Sequence, residues 1–172
     1  MTLRSDTDIA AAPVPMPELQ FGLADPAVAA TMTGLEQMQA IVAGRLPAPP
    51  IVETTSQWIH ELAPGRITFL GDPHPRFLNP MGLIHGGWSM TLLDSALGCA
   101  VQSTLERGET YVSLGTEVKF IRPVLAQTGQ VRCIAEVHSR GRSTATAAGR
   151  IEDATGRLLA TGTTTCYIRA MG

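Results

Sequence analysis

The sequence predicts an α+β domain in which an antiparallel sheet of about five or six strands wraps around one long central helix. The helix is expected from Gly86 to about Leu105, a segment that is apolar on nearly every side, which is typical of a buried helix. Segments of alternating apolar and polar residues follow it, separated by turns, as in half-buried antiparallel strands. A chain of 172 residues suits one domain with a substantial core.

Two parts of the chain precede this helix. Residues 1–32 are rich in Ala and Pro and predict a largely irregular arm, followed by one domain over residues 33–170. An extra N-terminal helix is expected from Thr33 to Arg45, because Thr33 and Glu36 have the spacing of a capping box. Its apolar residues recur at helical spacing: Leu35, Met38, Ile41 and Val42.

The strands are predicted from alternation and turn residues. Ile51 to Leu70 predicts two strands joined by the turn Ala63–Arg66, with Trp58, His60 and Leu62 on one face. A proline-rich loop then leads to the central helix. Four more strands are expected after it, over Tyr111–Pro123, Gly129–Ser139, Ser143–Asp153 and Leu158–Ile168.

The start of the central helix predicts a binding site. The consecutive glycines Gly86 and Gly87 follow His85 and let the backbone approach a ligand closely. The first N–H groups of a helix have no partner within it, and they lie at the positive end of the helix dipole. Such a position favours an anion or a developing oxyanion.

Asp94 is a carboxylate among apolar residues of the same helix. Such a group is bonded to nearby polar groups, raised in pKa, or functional. Asp94 lies nine residues after His85, which is about 180° around a helix and about 13 Å along it. One helix therefore cannot direct Asp94 at its own glycines, whereas two antiparallel helices can. A site that uses both features is shared between two chains.

Composition excludes several classes of function. The balance of 13 basic and 15 acidic residues gives a net charge of −2, and no segment suggests nucleic-acid binding. Asp94 and Gln102 interrupt the apolar helix, which argues against a membrane span. No metal-ligand spacing is present, and we expect neither metal nor cofactor. Three cysteines in apolar segments, without an apolar leader, predict reduced thiols in a cytoplasmic protein: Cys99, Cys133 and Cys166.

The run Asn79–x5–His85-Gly86-Gly87–x6–Asp94 resembles the PaaI-type (phenylacetic acid degradation) branch of the hotdog-fold acyl-CoA thioesterases. Three later motifs lie at positions where that family has motifs of its own: Val112-Ser113, Phe120 to Pro123 and Ser139 to Ser143. The resemblance extends from about Thr33 to Ile168. It implies a hotdog fold, an acyl-CoA substrate and a homodimer, with dimers usually paired into tetramers.

The resemblance also implies catalytic roles. The N–H of Gly86 polarises the thioester carbonyl, and Asp94 of the facing chain acts as nucleophile or general base. Asn79 holds the carbonyl, water or backbone near the site, and His85 lies near the thioester sulfur. Ser113 orients the water. Taken alone, Asn79 and His85 are better explained as turn residues, and it is their combination with the other motifs that favours the functional roles.

The resemblance implies substrate-binding roles for a second set of residues: Gly87, Arg122, Arg140, Gly141, Arg142 and Ser143. The alternative for the arginines of this set is that they are ordinary hairpin residues. The arginines suit the phosphates of CoA. The acyl pocket is expected near Phe77, Leu83, Trp88 and Met90. The extra N-terminal helix is either a cover over the sheet or a wall of this pocket.

Two other functions remain open at this level. One is a hotdog enoyl-CoA hydratase or dehydratase, which the position of His85 before the helix disfavours. The other is a non-catalytic acyl-CoA-binding protein, which an intact Asp94 disfavours.

Overall fold

Six antiparallel strands form one sheet around a long helix in the structure, a computed structural model that describes residues 12–171. Residues 1–11 of the predicted arm lie outside the described residues. The helices are α1 (Pro26–Ala29), α2 (Gly34–Val42), α3 (Ile51–Thr55) and α4 (Gly86–Gln102). The strands are β1 (Gln57–Ala63), β2 (Arg66–Gly71), β3 (Glu109–Phe120), β4 (Val131–Arg140), β5 (Thr144–Glu152) and β6 (Leu158–Ala170). The predicted α+β hotdog fold is confirmed.

The strand order places β3 at an edge of the sheet. Neighbours follow the order β1-β2-β4-β5-β6-β3, and every pair is antiparallel. Within residues 12–171, β3 pairs only with β6. Because α4 precedes β3 in the chain, the helix leads directly into this edge strand.

One side of α4 fills the concave face of the sheet. The helix buries nine residues, among them Leu92, Leu93, Leu97 and Val101, in a core shared with β2, β4, β5 and β6. Its other side is open, since Met90 and Asp94 are exposed. The helix expected to be buried all round is therefore open along one stripe in the single chain.

The extra N-terminal helix is also confirmed. Thr33 Oγ1 accepts a hydrogen bond from the Glu36 N–H, and Glu36 Oε2 accepts one from the Thr33 N–H. This is the predicted capping box, and α2 ends at Val42 before the prolines. Its buried Met38 joins the main core.

The strand predicted to begin at Ile51 is wrong, because Ile51–Thr55 forms the short helix α3. The β-branched residues of this segment favour a strand. Here, however, the Thr54 and Thr55 hydroxyls donate back to the carbonyls of Pro50 and Ile51. Ser56, at φ 54° and ψ 51°, ends the helix in the left-handed conformation.

The shared face predicted for Trp58, His60 and Leu62 is wrong as well. The register of β1 shifts between Ile59 and Glu61, so a bulge at His60 interrupts the alternation. Trp58 packs in a second cluster with Leu70, whereas Leu62 packs on the main core.

Candidate active site

His85 caps the start of α4. Its Nδ1 accepts a hydrogen bond of 2.9 Å from the Gly87 N–H, so in the neutral ring the proton lies on Nε2. The side chain is exposed. The N–H of Gly86 has no partner among residues 12–171, as expected for the first residue of a helix. It is the free donor at this helix end.

Packing explains why both Gly86 and Gly87 are glycines. A Cβ on Gly86 would lie 3.0 Å from Phe120 Cζ, and one on Gly87 would lie 2.9 Å from His85 Nδ1. Glycine at the first position therefore lets the Phe120 ring lie over the helix start. Glycine at the second lets the His85 ring form the cap.

Asn79 organises the turn before the helix. Its Oδ1 accepts hydrogen bonds from the N–H groups of Met81 (2.9 Å) and Leu83 (3.1 Å), which is the turn role that asparagine commonly takes. The Asn79 side-chain NH₂ makes no hydrogen bond within residues 12–171. The turn therefore leaves a second donor near the helix start.

Asn79 and Gly86, but not His85 or Gly87, line a cavity of about 330 Å³ that we call the Gly86 cavity. Its walls include Asn79, Gly86, Phe120 and Arg122. Arg122 donates from Nη1 to the Leu158 carbonyl at 2.8 Å and is otherwise exposed. The structure thus brings together three of the predicted site residues, all of them hydrogen-bond donors.

Asp94 lies elsewhere, further along α4. Its Oδ1 accepts a hydrogen bond of 3.0 Å from the Thr116 hydroxyl on β3, and the Thr164 hydroxyl lies 3.2 Å from that of Thr116. Sequence analysis missed Thr116. A signal was available, because Thr116 lies two residues before the apolar Val118 in the same predicted strand, and residues two apart in a strand share a face.

Ser113 has a different neighbour. It pairs with Cys166 across the β3–β6 ladder and is exposed. The register of β3 shifts between Ser113 and Gly115, which changes the alternation between Ser113 and Thr116. Within one chain the carboxylate of Asp94 is therefore bonded by Thr116 and not by Ser113.

A second cavity, of about 250 Å³, contains Asp94 in its wall, and we call it the Asp94 cavity. Most of its lining is apolar and comes from α2, α3, β1 and β2 together with the arm. The expected acyl-pocket residues do not line it. Trp88 is buried against Gly71 and donates from Nε1 to the Thr55 carbonyl, Met90 is exposed, and Leu83 lines the Gly86 cavity.

Cys99 and Tyr111 also line the Asp94 cavity. Burial and, to a smaller extent, the charge of Asp94 raise the pKa of the Cys99 thiol to about 12. Burial likewise raises the pKa of the Tyr111 hydroxyl well above its ordinary value. A thiol with such a pKa stays protonated at neutral pH and is a poor nucleophile. Asp94 is the only carboxylate among the described residues that line this cavity.

The two predicted hairpin arginines differ. Arg140 forms an ion pair of 2.7 Å with Glu109, and both side chains are mostly buried. Burial pushes the pKa of Glu109 upward, but hydrogen bonds from the Glu106 N–H and Arg140 outweigh it and hold the pKa below its usual value. Arg142 is exposed and has no ion-pair or hydrogen-bond partner in the described part of the chain. Gly141 and Ser143 flank it, also exposed.

The hairpin and the Gly86 cavity lie at opposite ends of β3. Arg140 contacts Glu109, the first residue of that strand, and Gly86 contacts Phe120, the last. A strand of this length spans about 36 Å. Arg142 and Gly86 of one chain therefore lie too far apart to contact the same phosphate group.

The described residues offer neither a membrane-spanning helix nor a metal site. Among the described residues, no helix is long and apolar enough to cross a membrane. The same residues contain no group of three or more His, Cys, Asp or Glu side chains arranged to hold a metal ion.

Known proteins are similar to this chain in sequence and in fold. The profile of the thioesterase superfamily matches residues 81–160. No curated protein matches the sequence. A phenylacetic acid degradation-related protein from Ralstonia eutropha JMP134 is 30% identical, with a TM-score of 0.70, over 76% of this chain and 98% of that one.

Two further solved structures are similar. A mutant of the phenylacetic acid degradation protein PaaI from Thermus thermophilus is 30% identical, with a TM-score of 0.62, over 69% of this chain and 97% of that one. A thioesterase family protein from Silicibacter pomeroyi is 28% identical, with a TM-score of 0.65, over 70% of this chain and 90% of that one.

Proposed function

Because the chain belongs to the PaaI-like branch of the thioesterase superfamily and is a thioester hydrolase, we propose that it hydrolyses acyl-CoA thioesters to a free acid and CoA at sites shared between two copies. One observation carries the shared site. Gly86 and Asp94 lie on one rigid helix but line two different cavities. Among the described residues, the Gly86 cavity has the free N–H of the helix start but no carboxylate in its lining, and the Asp94 cavity has the carboxylate but not the helix start.

The edge strand β3 is the proposed interface. It carries exposed apolar side chains at Val112 (46% exposed), Leu114 (64%) and Phe120 (56%). A long edge with apolar side chains is a surface that another strand readily joins. The occupant is a second copy, placed by a two-fold axis that runs the two β3 strands antiparallel. The open stripe of α4 with Met90 and Asp94 then faces the partner.

In this dimer, each site takes its donors from one chain and its carboxylate from the other. The Gly86 N–H and the helix dipole polarise the thioester carbonyl and stabilise the oxyanion. The Asn79 NH₂ holds the carbonyl or the water, and the His85 Nε2–H lies near the sulfur. Asp94 of the partner subunit, fixed by the partner's Thr116, is the reactive carboxylate.

The reaction needs no cofactor. Acting as a base, Asp94 takes a proton from water while the water oxygen bonds to the carbonyl carbon and Ser113 orients that water. Acting as a nucleophile, its carboxylate bonds the carbon first, and water then hydrolyses the anhydride. In both cases the C–S bond breaks, CoA leaves as a thiolate and is protonated, and the acid is released.

The two parts of the substrate occupy different surfaces. The Asp94 cavity, about 250 Å³, is smaller than the roughly 300–1,000 Å³ typical of ligand pockets, so it takes the acyl group alone. The CoA lies outside. Because antiparallel β3 strands bring the Glu109 end of one chain toward the Phe120 end of the other, Arg142 of the partner subunit approaches the Gly86 cavity.

The CoA contacts extend over both chains. Arg122 and the Gly87 backbone contribute from the chain that supplies Gly86. The partner's hairpin contributes Arg142 with Gly141 and Ser143, while Arg140 holds the hairpin against Glu109. Dimers pair further into tetramers. The three unpaired cysteines fit the cytoplasm as the site of action.

A thiol-release screen tests this function. Aryl-, medium-chain and long-chain acyl-CoAs are incubated with the protein, and free CoA is measured with a thiol reagent. We expect release from at least one class, no hydration of the matching enoyl-CoA, and loss of release in Asp94→Asn. Hydration without thiol release, or equal release by wild type and Asp94→Asn, would contradict the proposal.

A further inference from the structure

Two sets of hydrogen bonds hold residues 14–22 of the N-terminal arm against the domain. Val14 exchanges two hydrogen bonds with the Gln130 side chain, of 3.0 and 2.8 Å. Further along, the Ala48 N–H donates to the Gln20 carbonyl and the Gly22 N–H donates to the Ala48 carbonyl, at 2.8 and 2.9 Å. The segment between these points is therefore held across the surface.

The arm packs on its own small cluster. Met16, Leu19 and Phe21 contact the second hydrophobic cluster, formed by Ala48, Val52, Trp58 and Leu70. No residue of α4 belongs to this cluster. Because Ala48, Val52 and Trp58 of this cluster also line the Asp94 cavity, the arm lies against the wall of the cavity that they form.

Part of the arm faces that cavity directly. Pro17 and Leu19 line the Asp94 cavity, whereas Met16 does not. Asp94, Ser95 and Cys99 of α4 also line the cavity, and none of them belongs to the cluster on which the arm packs. An acyl group that fills the cavity beside Asp94 therefore also contacts a wall that contains Leu19.

We propose that the arm is a specificity element, with Leu19 and Pro17 forming the end wall that limits the length of the acyl group. This inference rests on the proposed function, because the acyl group is what fills the cavity. The wall is built by a segment outside the sheet and α4, so acyl length is set separately from the catalytic groups.

The size of the effect follows from apolar binding. One methylene group in a hydrophobic pocket changes discrimination by about 10- to 200-fold. Leu19→Ala removes three carbons from the wall, which leaves room for about two more methylene groups of substrate. The preferred acyl chain should lengthen accordingly, while the groups around Asp94 keep their positions.

The experiment compares two substitutions in the full-length protein. Leu19→Ala is paired with Met16→Ala, since both residues are half-buried in the arm and pack on the same cluster, but only Leu19 lines the cavity. For each variant, kcat/KM is measured over a series of saturated acyl-CoAs. We expect Leu19→Ala to raise the ratio for the longer over the shorter substrate at least tenfold. Met16→Ala should leave it within about twofold.

A second readout does not depend on hydrolysis. Non-hydrolysable CoA thioethers of the same chain lengths are bound to each variant, and affinity is measured by calorimetry. If wild type binds thioethers with a length limit that Leu19→Ala extends, the inference holds even when no thioester is cleaved. Equal shifts in Leu19→Ala and Met16→Ala would show general loosening of the arm, and no shift in Leu19→Ala would mean another wall sets the length. Either result overturns the inference.

Leu19→Trp provides the opposite change. A larger side chain shortens the cavity, so the preferred acyl chain should become shorter than in wild type. A lengthened or unchanged preference in a variant that unfolds at the wild-type temperature would also overturn the inference.

Discussion

The Gly86 cavity and the Asp94 cavity, the two halves of the proposed site, differ in the groups that they present. The first offers donors: the Gly86 N–H, the Asn79 amide and Arg122. The second offers a carboxylate and apolar volume, closed by α2, α3 and the arm. Because both are built on α4, their separation is fixed by a rigid helix, and no movement of a loop joins them within one chain.

The difference also predicts how each half fails. The Gly86 half depends on a backbone N–H, which only a change of backbone can remove. The Asp94 half depends on a side chain and on the hydroxyl that holds it. Substitutions can therefore disable one half without disturbing the other.

The largest effect is expected for Asp94→Asn. The substitution keeps the shape, and Thr116 can still donate to the amide oxygen, but the base or nucleophile is lost. Turnover should fall by more than about 10²-fold, within the range of an acid–base contribution of roughly 10² to 10⁴. Thioether binding and the circular dichroism spectrum should match wild type. Activity within about tenfold of wild type would contradict the catalytic role proposed for Asp94.

Mixing two inactive variants tests whether the halves meet across chains. Gly86→Pro removes the donor at a position where helices accept proline, and the Phe120 ring has to shift slightly because its Cζ lies 3.0 Å from the new Cβ. The residue before it, His85, already has the extended ψ of 135° that precedes proline. Gly86→Pro and Asp94→Asn chains are unfolded together at equal amounts and refolded. Random pairing makes about half the dimers mixed, each with one intact site, so activity should return to roughly a quarter of wild type.

Controls for the mixing experiment are each variant refolded alone, which should stay inactive. Native mass spectrometry establishes that mixed dimers have formed. Mixed dimers without activity would show that Asp94 serves its own chain or no chain.

Thr116→Val tests how the Asp94 half is held. Valine keeps the shape but cannot donate to Asp94 Oδ1, so the carboxylate loses its fixed orientation. A neutral hydrogen bond contributes about 1 kcal/mol and one to a charged group somewhat more, which predicts a loss of about tenfold in kcat with KM little changed. Thr163→Val, on the exposed face of the neighbouring strand, is the control. Equal activity of both variants would show that Thr116 does not contribute to the function of the site.

Most of the fold could be predicted because its signals are periodic. Alternation identified β3 to β6, the apolar run identified α4, and Thr33 with Glu36 identified the start of α2. The errors fell where local chemistry overrode periodicity. The Thr54 and Thr55 hydroxyls support a helix in a segment of strand-forming residues, and an extra residue at His60 reverses the alternation of β1.

The site was predictable only in part. Gly86 and Asp94 could be singled out because consecutive glycines and a carboxylate within an apolar run are uncommon and have specific physical uses. The apolar cavity could not, because Trp58, Phe69 and Leu19 come from three separate segments that meet only in the folded chain. The ion pair of Arg140 with Glu109 joins residues 31 apart in the sequence, and no local pattern distinguishes Arg140 from Arg142.

The smallest effect is expected for the hairpin arginines. Arg142→Ala should raise KM for CoA thioesters about fivefold with kcat nearly unchanged, because an exposed ion pair contributes up to about 1 kcal/mol and uniform binding appears in KM alone. A pantetheine thioester, which lacks the nucleotide phosphates, should show no change. Arg140→Ala should instead lower the thermal midpoint, because it leaves the mostly buried Glu109 without its partner. Equal losses of Arg142→Ala on both substrates would show a structural role.

Mixed dimers show which half Arg142 serves. The intact site of a mixed dimer takes Gly86 from the Asp94→Asn chain and Asp94 from the Gly86→Pro chain. If the hairpin reaches the Gly86 cavity of the facing chain, Arg142→Ala raises KM only when added to the Gly86→Pro chain. When added to the Asp94→Asn chain, it should have no effect. The reverse pattern would place Arg142 with the Gly86 of its own chain, and β3 strands paired antiparallel would then be the wrong arrangement.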